Sequence, residues 1–500
     1  MKTNHLIFAL VALFMTSVFF IACKKEDNDS IVKAKSIRVP EQFVNIQDAI
    51  NFSNHGDTVI VEPGIYKQSI NLMGKRVIVK SAGYGTRDIA SSAVLDGDGN
   101  GPVVTFNSGE SNLSVLQGFT IINGDAENTN GGAILITNGS RPVIRDCVIR
   151  DNKAAYGGAI AVSKQSSPLI ENNTFQANQA SSGRGAAIYV FDKSSAAISN
   201  NLFEDHQGGD GVIHIGSTST DESSAMITGN TIQNNTTDFG VGGIKVTAVS
   251  SAQINNNTFL DNTGSGDNNA GAVLISFSSF AEIMNNTFTG NKADRAGAIV
   301  IYRESTASIT ENTITNNVAG TEGSGHGIGG GIMLTYHGEA IIQNNVISGN
   351  QAWSNAHGGG GIAVYSWGQE THALISNNQI TGNHANRRGG GIYITGSGTA
   401  GDIYNNNIDE NQAQGDAQAA GGGIYLGPSE SKIYNNVISN GWSGWRGGGI
   451  YIHRDALVFS EAGLEWPRMN CPPGEEPNNN YVNNLHHDDS FGGANVFFDE

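Results

Sequence analysis

Apolar and polar positions alternate in short runs along most of this chain, and each run follows a glycine-rich segment. A run consists of an aliphatic residue, a variable residue and a second aliphatic residue, as in Ile134-Leu135-Ile136. A period of two predicts a β-strand with one buried face. Aligned copies of the first aliphatic residue lie 25 to 33 residues apart, at Ile134, Ile160, Ile188, Ile213, Ile244, Val273, Ile299, Ile332, Ile362, Ile392, Ile424 and Ile450.

A second phrase, Asn-x-(Phe/Ile)-x-x-Asn, lies between the copies. Examples are Asn173-Thr174-Phe175 with Asn178, and Asn257-Thr258-Phe259 with Asn262. Two or three short strands per repeat fit one coil of a parallel β-helix, in which equivalent residues stack in columns. Asparagine suits the corners, because it tolerates a left-handed backbone and its amide can bond to the asparagine of the next coil. Many of these residues also read Asn-x-Thr, but their fixed register favours a structural ladder over glycan acceptors.

Composition narrows the range of partners. The chain has 66 glycines and only 10 prolines among 500 residues, and its 28 basic and 46 acidic residues give a formal charge of −18. That charge argues against nucleic acid as a partner and against broad docking on anionic lipid. A local basic groove could still bind an acidic polysaccharide. We expect no metal site and no cofactor, since no clustered aspartates with calcium-site spacing are evident.

The N-terminal segment has the pattern of a processing signal. Lys2 opens a short polar region, an apolar run follows over residues 6–21, and Ala22 precedes Cys23. This pattern resembles a lipoprotein signal, although an ordinary signal peptide or a short membrane anchor would share parts of it. The following Lys24-Lys25-Glu26-Asp27 resembles the surface-export signals of Bacteroidetes lipoproteins. We therefore expect a lipid on Cys23 and a surface-exposed position on the cell outer membrane.

Two family resemblances point to one fold. Phrases such as Gly131-Gly132-Ala133-Ile134, paired with Phe-x-x-Asn, resemble the repeats of chlamydial polymorphic outer-membrane proteins. Residues 42–79, with Ile46-Gln47-Asp48-Ala49-Ile50 and Pro63-Gly64-Ile65-Tyr66, resemble the opening of pectin-lyase-like proteins. The resemblances imply an all-β, single-stranded right-handed parallel β-helix with a short N-terminal capping helix. They imply little about activity, because this scaffold carries unrelated functions.

The predicted organisation follows from where the repeat begins and ends. We expect a lipoprotein signal peptide at 1–22, a flexible tether at 23–38, and an N-terminal cap with the first coils at 39–130. Regular repeats then occupy 131–453, and 454–500 form an irregular last coil and C-terminal cap. Cys147 and Cys471 would lie many coils apart, far beyond the Cα separation of about 7 Å that a disulfide allows, so we expect no bridge between them.

Candidate chemistry concentrates in the C-terminal coils. The residue after the inward aliphatic is Tyr393, Tyr425 or Tyr451 in three of these copies, and Tyr302, Tyr365 and His453 lie two places further along. All five tryptophans come after residue 350. Basic residues stand before and after these strands, at His326, His337, His357, Arg387, Arg388, Arg446 and Arg454. Aromatic faces stack on sugars and basic groups bind carboxylates or sulfates, which predicts a glycan groove. The alternative is a tyrosine column that only stabilises neighbouring coils.

A polysaccharide lyase would need a base, an acid and a cation beside a uronate carboxylate. His357 or His337, Tyr365 or Tyr393, and Arg388 could fill these roles. The remaining substrate contacts would then be His337, Trp367, Tyr425, Arg446, Tyr451 and His453. A hydrolase would need paired carboxylates, which we do not find at suitable spacing. We therefore expect a protein acting on uronate-containing or sulfated polysaccharide by β-elimination. A noncatalytic glycan-capturing lipoprotein or adhesin is the alternative, and the residues leave the choice between them open.

Overall fold

The structure is a computed structural model that describes residues 34–83, 93–217, 222–237, 240–266, 269–322, 326–415 and 419–459, together with the strands Asn480–Val482, Leu485–His486 and Val496–Phe498. The chain divides into two units, Met1–Lys35 and Ser36–Glu500. The fold described below belongs to the second unit. Cys23 and Cys471 lie outside the described residues, so the lipid anchor and the proposed absence of a disulfide between Cys147 and Cys471 stay predictions.

The strands of the second unit pair in parallel, each with the equivalent strand one repeat later. One coil illustrates the path: Glu339–Gln343, Val346–Ser348, Gln351–Ala352 and Ile362–Tyr365 follow one another, and the chain then enters the next coil at Thr371–Ser376. The register keeps aligned residues together, as in Ile332↔Ile362↔Ile392. The aliphatic positions aligned in the sequence therefore form one column, which confirms the parallel β-helix.

Sheet I has 16 strands: Ser36–Val39, Thr58–Val61, Ile78–Ser81, Val115–Gln117, Val143–Arg145, Leu169–Glu171, Ser195–Ser199, Ser224–Thr228, Ser251–Asn255, Phe280–Met284, Thr306–Thr310, Glu339–Gln343, Thr371–Ser376, Thr399–Tyr404, Glu430–Tyr434 and Leu457–Phe459. Sheet II has 15 strands: Gly64–Lys67, Ala93–Asp96, Thr120–Ile122, Val148–Arg150, Thr174–Gln176, Leu202–Glu204, Thr231–Gln233, Thr258–Leu260, Thr287–Thr289, Thr313–Thr315, Val346–Ser348, Gln379–Thr381, Asn407–Asp409, Val437–Ser439 and Asn480–Val482.

Sheet III, which carries the site described below, has 15 strands: Ile70–Asn71, Val104–Phe106, Ile134–Ile136, Ile160–Val162, Ile188–Val190, Ile213–Ile215, Ile244–Val246, Val273–Ser276, Ile299–Tyr302, Ile332–Thr335, Ile362–Tyr365, Ile392–Thr395, Ile424–Leu426, Ile450–Ile452 and Val496–Phe498. Two smaller sheets complete the coils. One comprises Asp125–Asn130, Lys153–Tyr156 and Gln179–Arg184; the other comprises Lys292–Ala293, Val318–Ala319, Gln351–Ala352, His384–Ala385, Gln412–Ala413, Trp442–Ser443 and Leu485–His486.

Inward side chains of the three large sheets form one continuous apolar core. Isoleucine dominates it, and the pairs Phe175–Phe203 and Phe259–Phe288 stack within sheet II at centroid distances of 4.7 and 4.6 Å. Cys147 is buried in this core and forms no disulfide with a described residue. Since each coil covers the inward face of its neighbours, the repeated aliphatic positions stabilise the solenoid cooperatively.

Buried asparagines form ladders at the two corners that flank sheet II. At the first corner the Asn345 side chain donates to Asn378 Oδ1 at 3.0 Å and to the Ile309 carbonyl at 2.8 Å. At the second, Asn350 donates in the same way to Asn383 Oδ1 at 2.9 Å. Each buried amide thus satisfies backbone groups of neighbouring coils, a net contribution of about 1 kcal/mol per hydrogen bond. The ladder interpretation of the repeated asparagines is confirmed.

A helix, α1 (Ile46–Phe52), lies at the N-terminal end of the described solenoid and buries Ile46, Ala49 and Ile50. Its apolar face packs near the first strands, Ser36–Val39 and Thr58–Val61. The helix exists where the sequence predicted it, whereas its action as a cap stays a prediction. Within the described ranges, no helix combines the length and apolar character needed to cross a membrane.

Candidate functional site

The outward face of sheet III carries the predicted groove, but part of that face is covered. From the strand Val273–Ser276 to the strand Ile450–Ile452, the residue after the inward aliphatic belongs to a second apolar cluster, which also includes the loop residues Val241, Ala270 and Ile328. The loop approaches the strand through glycine. A Cβ added to Gly389, whose φ is +60°, would lie 2.9 Å from Tyr393 Cα, and the same holds for Gly421 and Tyr425.

This cover corrects the expectation of an open tyrosine face. Tyr393, Tyr425 and Tyr451 are only 1%, 4% and 4% exposed, although their side chains point away from the main core. They form a buried tyrosine stack, with ring centroids 5.3 and 4.9 Å apart and planes inclined by 29° and 9°. A ligand on the surface therefore does not reach their ring faces, because the glycine-rich loop lies over them.

Exposed rings lie instead where the strands of sheet III end. We call Phe277, Tyr302, Tyr336, Tyr365 and Trp367 the exposed aromatic row. Phe277 is 44% and Trp367 70% exposed, and the tyrosines are half-buried. Neighbouring rings meet edge to face, at centroid distances of 6.2 Å for Phe277–Tyr302 and 5.4 Å for Tyr302–Tyr336. Trp367 meets Tyr365 at 6.1 Å and donates a hydrogen bond from its indole to the Tyr365 hydroxyl.

Two members of the row and the neighbouring Arg303 occupy backbone positions that ordinarily favour small residues. Phe277, Arg303 and Tyr336 have φ values of 57°, 50° and 50°, in the left-handed region. The equivalent turn of an earlier coil is Asn138-Gly139, which adopts that conformation at little cost. The same turn holds Lys164 and Val249 at φ of 50° and 61° in coils without these rings, so the conformation belongs to the repeat. Within the row, this turn presents the rings of Phe277 and Tyr336.

Arginine lies among the rings of the row. The Arg303 guanidinium sits 4.8 Å from the Phe277 centroid and 5.0 Å from that of Tyr302. Such cation–π contacts hold a guanidinium in place while leaving its donors available. Arg303 forms no ion pair with any carboxylate in the described part of the chain. The row therefore combines apolar ring surface with an uncompensated positive charge.

His357 joins the row to the buried stack. Its ring lies 4.4 Å from that of Tyr365, and its Nδ1 lies 3.1 Å from the Tyr393 hydroxyl. Arg388 lies near the same hydroxyl, donates to the Ala356 carbonyl at 3.3 Å and lies 5.3 Å from the Tyr425 centroid. The four residues predicted as a catalytic set, His357, Tyr365, Arg388 and Tyr393, thus lie together.

Burial and positive charge keep this cluster in its neutral forms. Burial, with the nearby Arg388 and Arg295, lowers the pKa of His357 to about 4. Burial and the neighbouring Tyr336 raise the pKa of Tyr365 to about 12. Burial, together with Tyr425, also raises the pKa of Tyr393. At neutral pH the histidine is therefore uncharged and the tyrosines keep their protons.

The tautomer of His357 determines whether its outer ring nitrogen, Nε2, donates or accepts a hydrogen bond from a ligand. At 3.1 Å, His357 Nδ1 accepts the Tyr393 hydroxyl proton in one tautomer and donates to that oxygen in the other. When Nδ1 accepts, the proton of the neutral imidazole lies on Nε2. His357 and Arg388 then both present N–H donors, the chemistry that binds a carboxylate or a sulfate.

The other predicted substrate contacts divide between the row and more distant coils. His337 is exposed beside Tyr336, in the turn after Ile332–Thr335. Arg446 lies over the Trp445 ring at 3.7 Å, in the loop before Ile450–Ile452. His453 follows that strand and lies 3.6 Å from a carboxylate oxygen of Asp455. The structure thus brings His337 and Trp367 to the row, places Tyr425 and Tyr451 in the stack, and leaves Arg446 and His453 at the last coils.

Sequence reasoning missed Phe277, Arg303, Tyr336 and Arg295. The first three lie four places after the inward aliphatics Val273, Ile299 and Ile332. The first and third residues after the aliphatic do not include them, whereas an alignment of the fourth residue displays all three in one column. Arg295 lies in a loop before its strand, and only its electrostatic effect on His357 and Tyr365 marks it. Among described residues, no group of three or more His, Cys, Asp or Glu side chains could hold a metal ion.

The fold and its repeats agree with comparison to known proteins. A family model described as the right handed beta helix region matches residues 77–222 and 183–415. These matches together span 77–415, more than half of the chain, so the chain belongs to the right-handed β-helix family. The handedness expected from the family resemblances is thereby confirmed. A search of curated proteins finds no match.

Several solved structures are similar to this chain at low identity. The A-module of the mannuronan C-5 epimerase AlgE6 of Azotobacter vinelandii is 13% identical, with 78% of this chain and 93% of that one covered and a TM-score of 0.36. PfbA, a surface adhesin of Streptococcus pneumoniae, is 14% identical, with 85% and 90% covered and a TM-score of 0.33. A tailspike mutant of Escherichia coli bacteriophage HK620, in complex with a hexasaccharide, is 11% identical, with 89% and 68% covered and a TM-score of 0.34.

Proposed function

We propose that this protein binds an anionic polysaccharide along the exposed aromatic row. The observation that carries the proposal is two groups of edge-to-face rings, Phe277–Tyr302–Tyr336 and Tyr365–Trp367, with the guanidinium of Arg303 beside the first. Edge-to-face contact leaves ring faces on which the apolar face of a sugar can pack.

Charge favours carboxylate or sulfate groups on the sugar. Arg303 and Arg388 form no ion pair with a described carboxylate, and His357 offers a further donor. The formal charge of the chain is −18, so these cations stand out against an acidic protein. A local cluster of guanidiniums can hold an anion by paired, charge-assisted hydrogen bonds despite the overall sign. The proposal rests on these contacts and not on the solved structures, whose TM-scores are all below 0.5.

Direct binding measurements test the proposal. Polygalacturonate and dextran sulfate, as carboxylated and sulfated probes, should bind the parent protein, and neutral dextran should bind far more weakly. Tyr336→Ala should weaken binding about tenfold or more, since an aromatic contact is worth ~1–3 kcal/mol in comparable sites.

The control for that substitution is Tyr404→Ala. Tyr404 stacks on Tyr434 at 4.9 Å on sheet I, away from the row, and is also half-buried. An equal loss of binding in both variants would overturn the proposal, because it would show that the row is not the contact surface.

A second candidate function, β-elimination on uronate, is favoured by the clustering of His357, Tyr365 and Arg388. Arg388 would neutralise the carboxylate, His357 would take the C5 proton, and the electrons of that C–H bond would form the C4–C5 double bond. The C4–O bond would break, and Tyr365 would protonate the departing oxygen. Tyr393, which is buried, would position His357. The low pKa of His357 makes it a weak base for this proton, so binding ranks first.

An unsaturated product that absorbs in the near ultraviolet would reveal elimination. If it forms, Arg388→Ala should reduce turnover by orders of magnitude, because a paired charge in such a site is worth ~2–5 kcal/mol. No product from polygalacturonate or alginate would reject the enzyme and leave the noncatalytic capture protein or adhesin.

We further infer attachment of the chain to the cell outer membrane, through a lipid on Cys23. The support is the apolar run that ends at Ala22-Cys23. Cys23→Ser should release the protein from membranes and abolish palmitate labelling. Retention of the variant on membranes would contradict the anchor. We also propose that α1 caps the first coil, since its buried face covers strands that would otherwise present an open edge.

A further inference from the structure

A second aromatic and basic patch lies on the same side of sheet III, several coils before the exposed aromatic row. Tyr156 and Tyr189 have ring centroids 5.8 Å apart, and Phe191 stacks on Tyr189 at 4.3 Å. The Arg184 guanidinium lies 5.5 Å from the Tyr156 centroid and donates to the Tyr189 hydroxyl at 3.2 Å. Tyr156, Arg184 and Phe191 are half-buried, whereas Tyr189 is covered. We call Tyr156, Arg184 and Phe191 the N-terminal patch.

The strand column beside this patch departs from its neighbours. Successive coils place Tyr189, His214 and Lys245 at the position after the inward aliphatic. Later coils carry apolar residues there, such as Leu274 and Val300. Buried polar groups cost stability that apolar residues would not, so such a departure is a marker of a functional surface.

Charge pairing within this column leaves Arg184 as the cation available to a ligand. Lys245 forms an ion pair with Asp210, which neutralises it. His214 bonds the Asp210 carbonyl at 2.8 Å through Nδ1, and its burial lowers its pKa to about 4, so it carries no charge at neutral pH. Arg184 has no ion pair with a carboxylate of the described chain. Its guanidinium is anchored by Tyr189 and keeps further N–H donors.

The register connects the patch to the row. Phe191 belongs to the column that contains Tyr302, and the residues between them in successive coils are Gly216, Thr247 and Ser276. Ser276 donates to the Thr247 hydroxyl at 3.2 Å. No residue larger than threonine stands between the two rings in this column. Four coil steps at ~4.8 Å place Phe191 roughly 19 Å from Tyr302.

We propose that the N-terminal patch is a second contact site for the same anionic polysaccharide, with Arg184 binding a carboxylate or sulfate and the rings of Tyr156 and Phe191 packing on the sugar. This inference rests on the proposed function of the row. It adds that the ligand is an extended chain that bridges both sites along the solenoid. Two linked contacts raise overall affinity through effective concentration, provided that one chain can reach both.

Chain length separates this inference from the proposed function. The probes are two pairs, each with a long and a short member: polygalacturonate with trigalacturonate, and dextran sulfate with sucrose octasulfate. Arg184→Gln keeps much of the side chain's shape but removes its charge. Only the pair that binds the row is compared. In that pair, Arg184→Gln should weaken binding of the long ligand about tenfold and leave binding of the short ligand unaffected. Arg150→Gln, on sheet II and paired with Asp151, is the matched control and should change neither.

Each outcome decides between the two proposals. If Trp367→Ala weakens long-chain binding and Arg184→Gln behaves like Arg150→Gln, the row stands and the second site falls. If Arg184→Gln weakens the short member equally, the patch acts through the fold and the second site also falls. If no probe binds the parent, both proposals fall.

A footprint of the parent protein covers the case of a misfolded Arg184 variant. Hydroxyl-radical labelling with the bound long probe should protect Tyr156 and Phe191 as well as Tyr336 and Trp367. Protection of Tyr336 and Trp367 alone would overturn the second site and leave the proposed function intact.

Discussion

The exposed aromatic row and the buried tyrosine stack both lie along sheet III, yet their rings meet in different ways. In the row, Phe277–Tyr302 and Tyr302–Tyr336 meet at interplanar angles of 89° and 81°. In the stack, Tyr425 meets Tyr451 at 9°. Edge-to-face rings keep a face available, whereas stacked rings use their faces on each other. An aromatic column in a solenoid is thus a binding surface only where its rings do not stack and no loop covers it.

The covering loop makes the second difference. Stack residues stand one place after the inward aliphatic, where the glycine-rich loop packs on them, whereas Tyr302 and Tyr365 stand three places after it. Burial makes the stack part of the fold's stability. Because Phe277 and Trp367 are exposed, replacing them should cost the folded protein little stability while removing ring surface from the proposed binding site. The predictions below test that division.

The largest expected contrast is in stability. Tyr425→Ala removes a ring packed between Tyr393 and Tyr451, and should lower the free energy of unfolding by about 3–5 kcal/mol. Trp367→Ala removes a ring that is 70% exposed and should cost below about 1 kcal/mol. Guanidinium denaturation of both variants, with comparison of their m-values, measures the difference. Similar losses in the two variants would show that the row is structural as well.

Acid stability extends the contrast to buried and exposed histidines. His206 takes the place of an asparagine in the second ladder, where Asn178 donates to its Nδ1 at 3.0 Å. Burial lowers its pKa to about 4, below the unfolded value, so the unfolded chain takes up a proton first. Its contribution is therefore lost as pH falls from about 6.5 through 4. His206→Asn should restore the amide ladder and recover up to about 3 kcal/mol of that acid loss.

His337→Asn, at an exposed turn, is the control for the histidine substitution. The measurement is the free energy of unfolding of each variant at several pH values between 7 and 4. If the free energy of unfolding of His206→Asn falls between pH 7 and 4 as much as that of the parent, burial of a neutral His206 is not the cause of the acid sensitivity.

Much of the fold was predictable because its signals are local and repeated. Ile332, Ile362 and Ile392 mark the strands, and Asn345 and Asn350 mark the corners, each with one role in every coil. His206 shows the limit of such patterns, since a ladder position can hold another residue that accepts the same backbone hydrogen bond.

The candidate site was predictable only in part. His357, Tyr365, Arg388 and Tyr393 were grouped from their neighbouring coils, and the structure places them together. Their exposure could not be read from the sequence, because a glycine-rich loop has no hydrophobic pattern to show that it folds over Tyr393. Phe277 was missed for a different reason: its left-handed turn lies outside the strand alternation that guided the search.

Hydroxyl removal gives a smaller contrast at the junction of the two regions. Tyr393→Phe leaves His357 Nδ1 without the partner that it has at 3.1 Å, and should cost about 1–3 kcal/mol of stability. Tyr365→Phe removes a half-exposed hydroxyl whose partner Trp367 can bond water instead, so its cost should stay below about 0.5 kcal/mol. Thermal or denaturant unfolding of the two variants measures both losses of stability. A larger cost at Tyr365 would reverse the assignment of exposed and buried sides.

The smallest effect, and the one closest to function, is the pH dependence of binding. In the free protein the pKa of His357 is about 4, lowered by burial and by Arg388 and Arg295. A bound anion favours the charged imidazole and raises that pKa, so binding takes up a proton between the free and bound values. Affinity for dextran sulfate, whose sulfates stay ionised, should therefore rise as pH falls toward 4. A pKa raised by one unit corresponds to about a tenfold gain.

His357→Gln should remove this gain, and His372→Gln, on sheet I beside Asp402, should keep it. Calorimetric titration in buffers of different ionisation enthalpy would also detect the proton taken up by the parent protein. The protein as a whole becomes less negative in acid, and this favours binding of a polyanion to every variant. The part of the pH dependence of affinity that His357 causes is therefore the difference between the slopes of the two variants. Equal slopes would place the bound anion away from His357, and the row would then bind sugars through its rings and Arg303 alone.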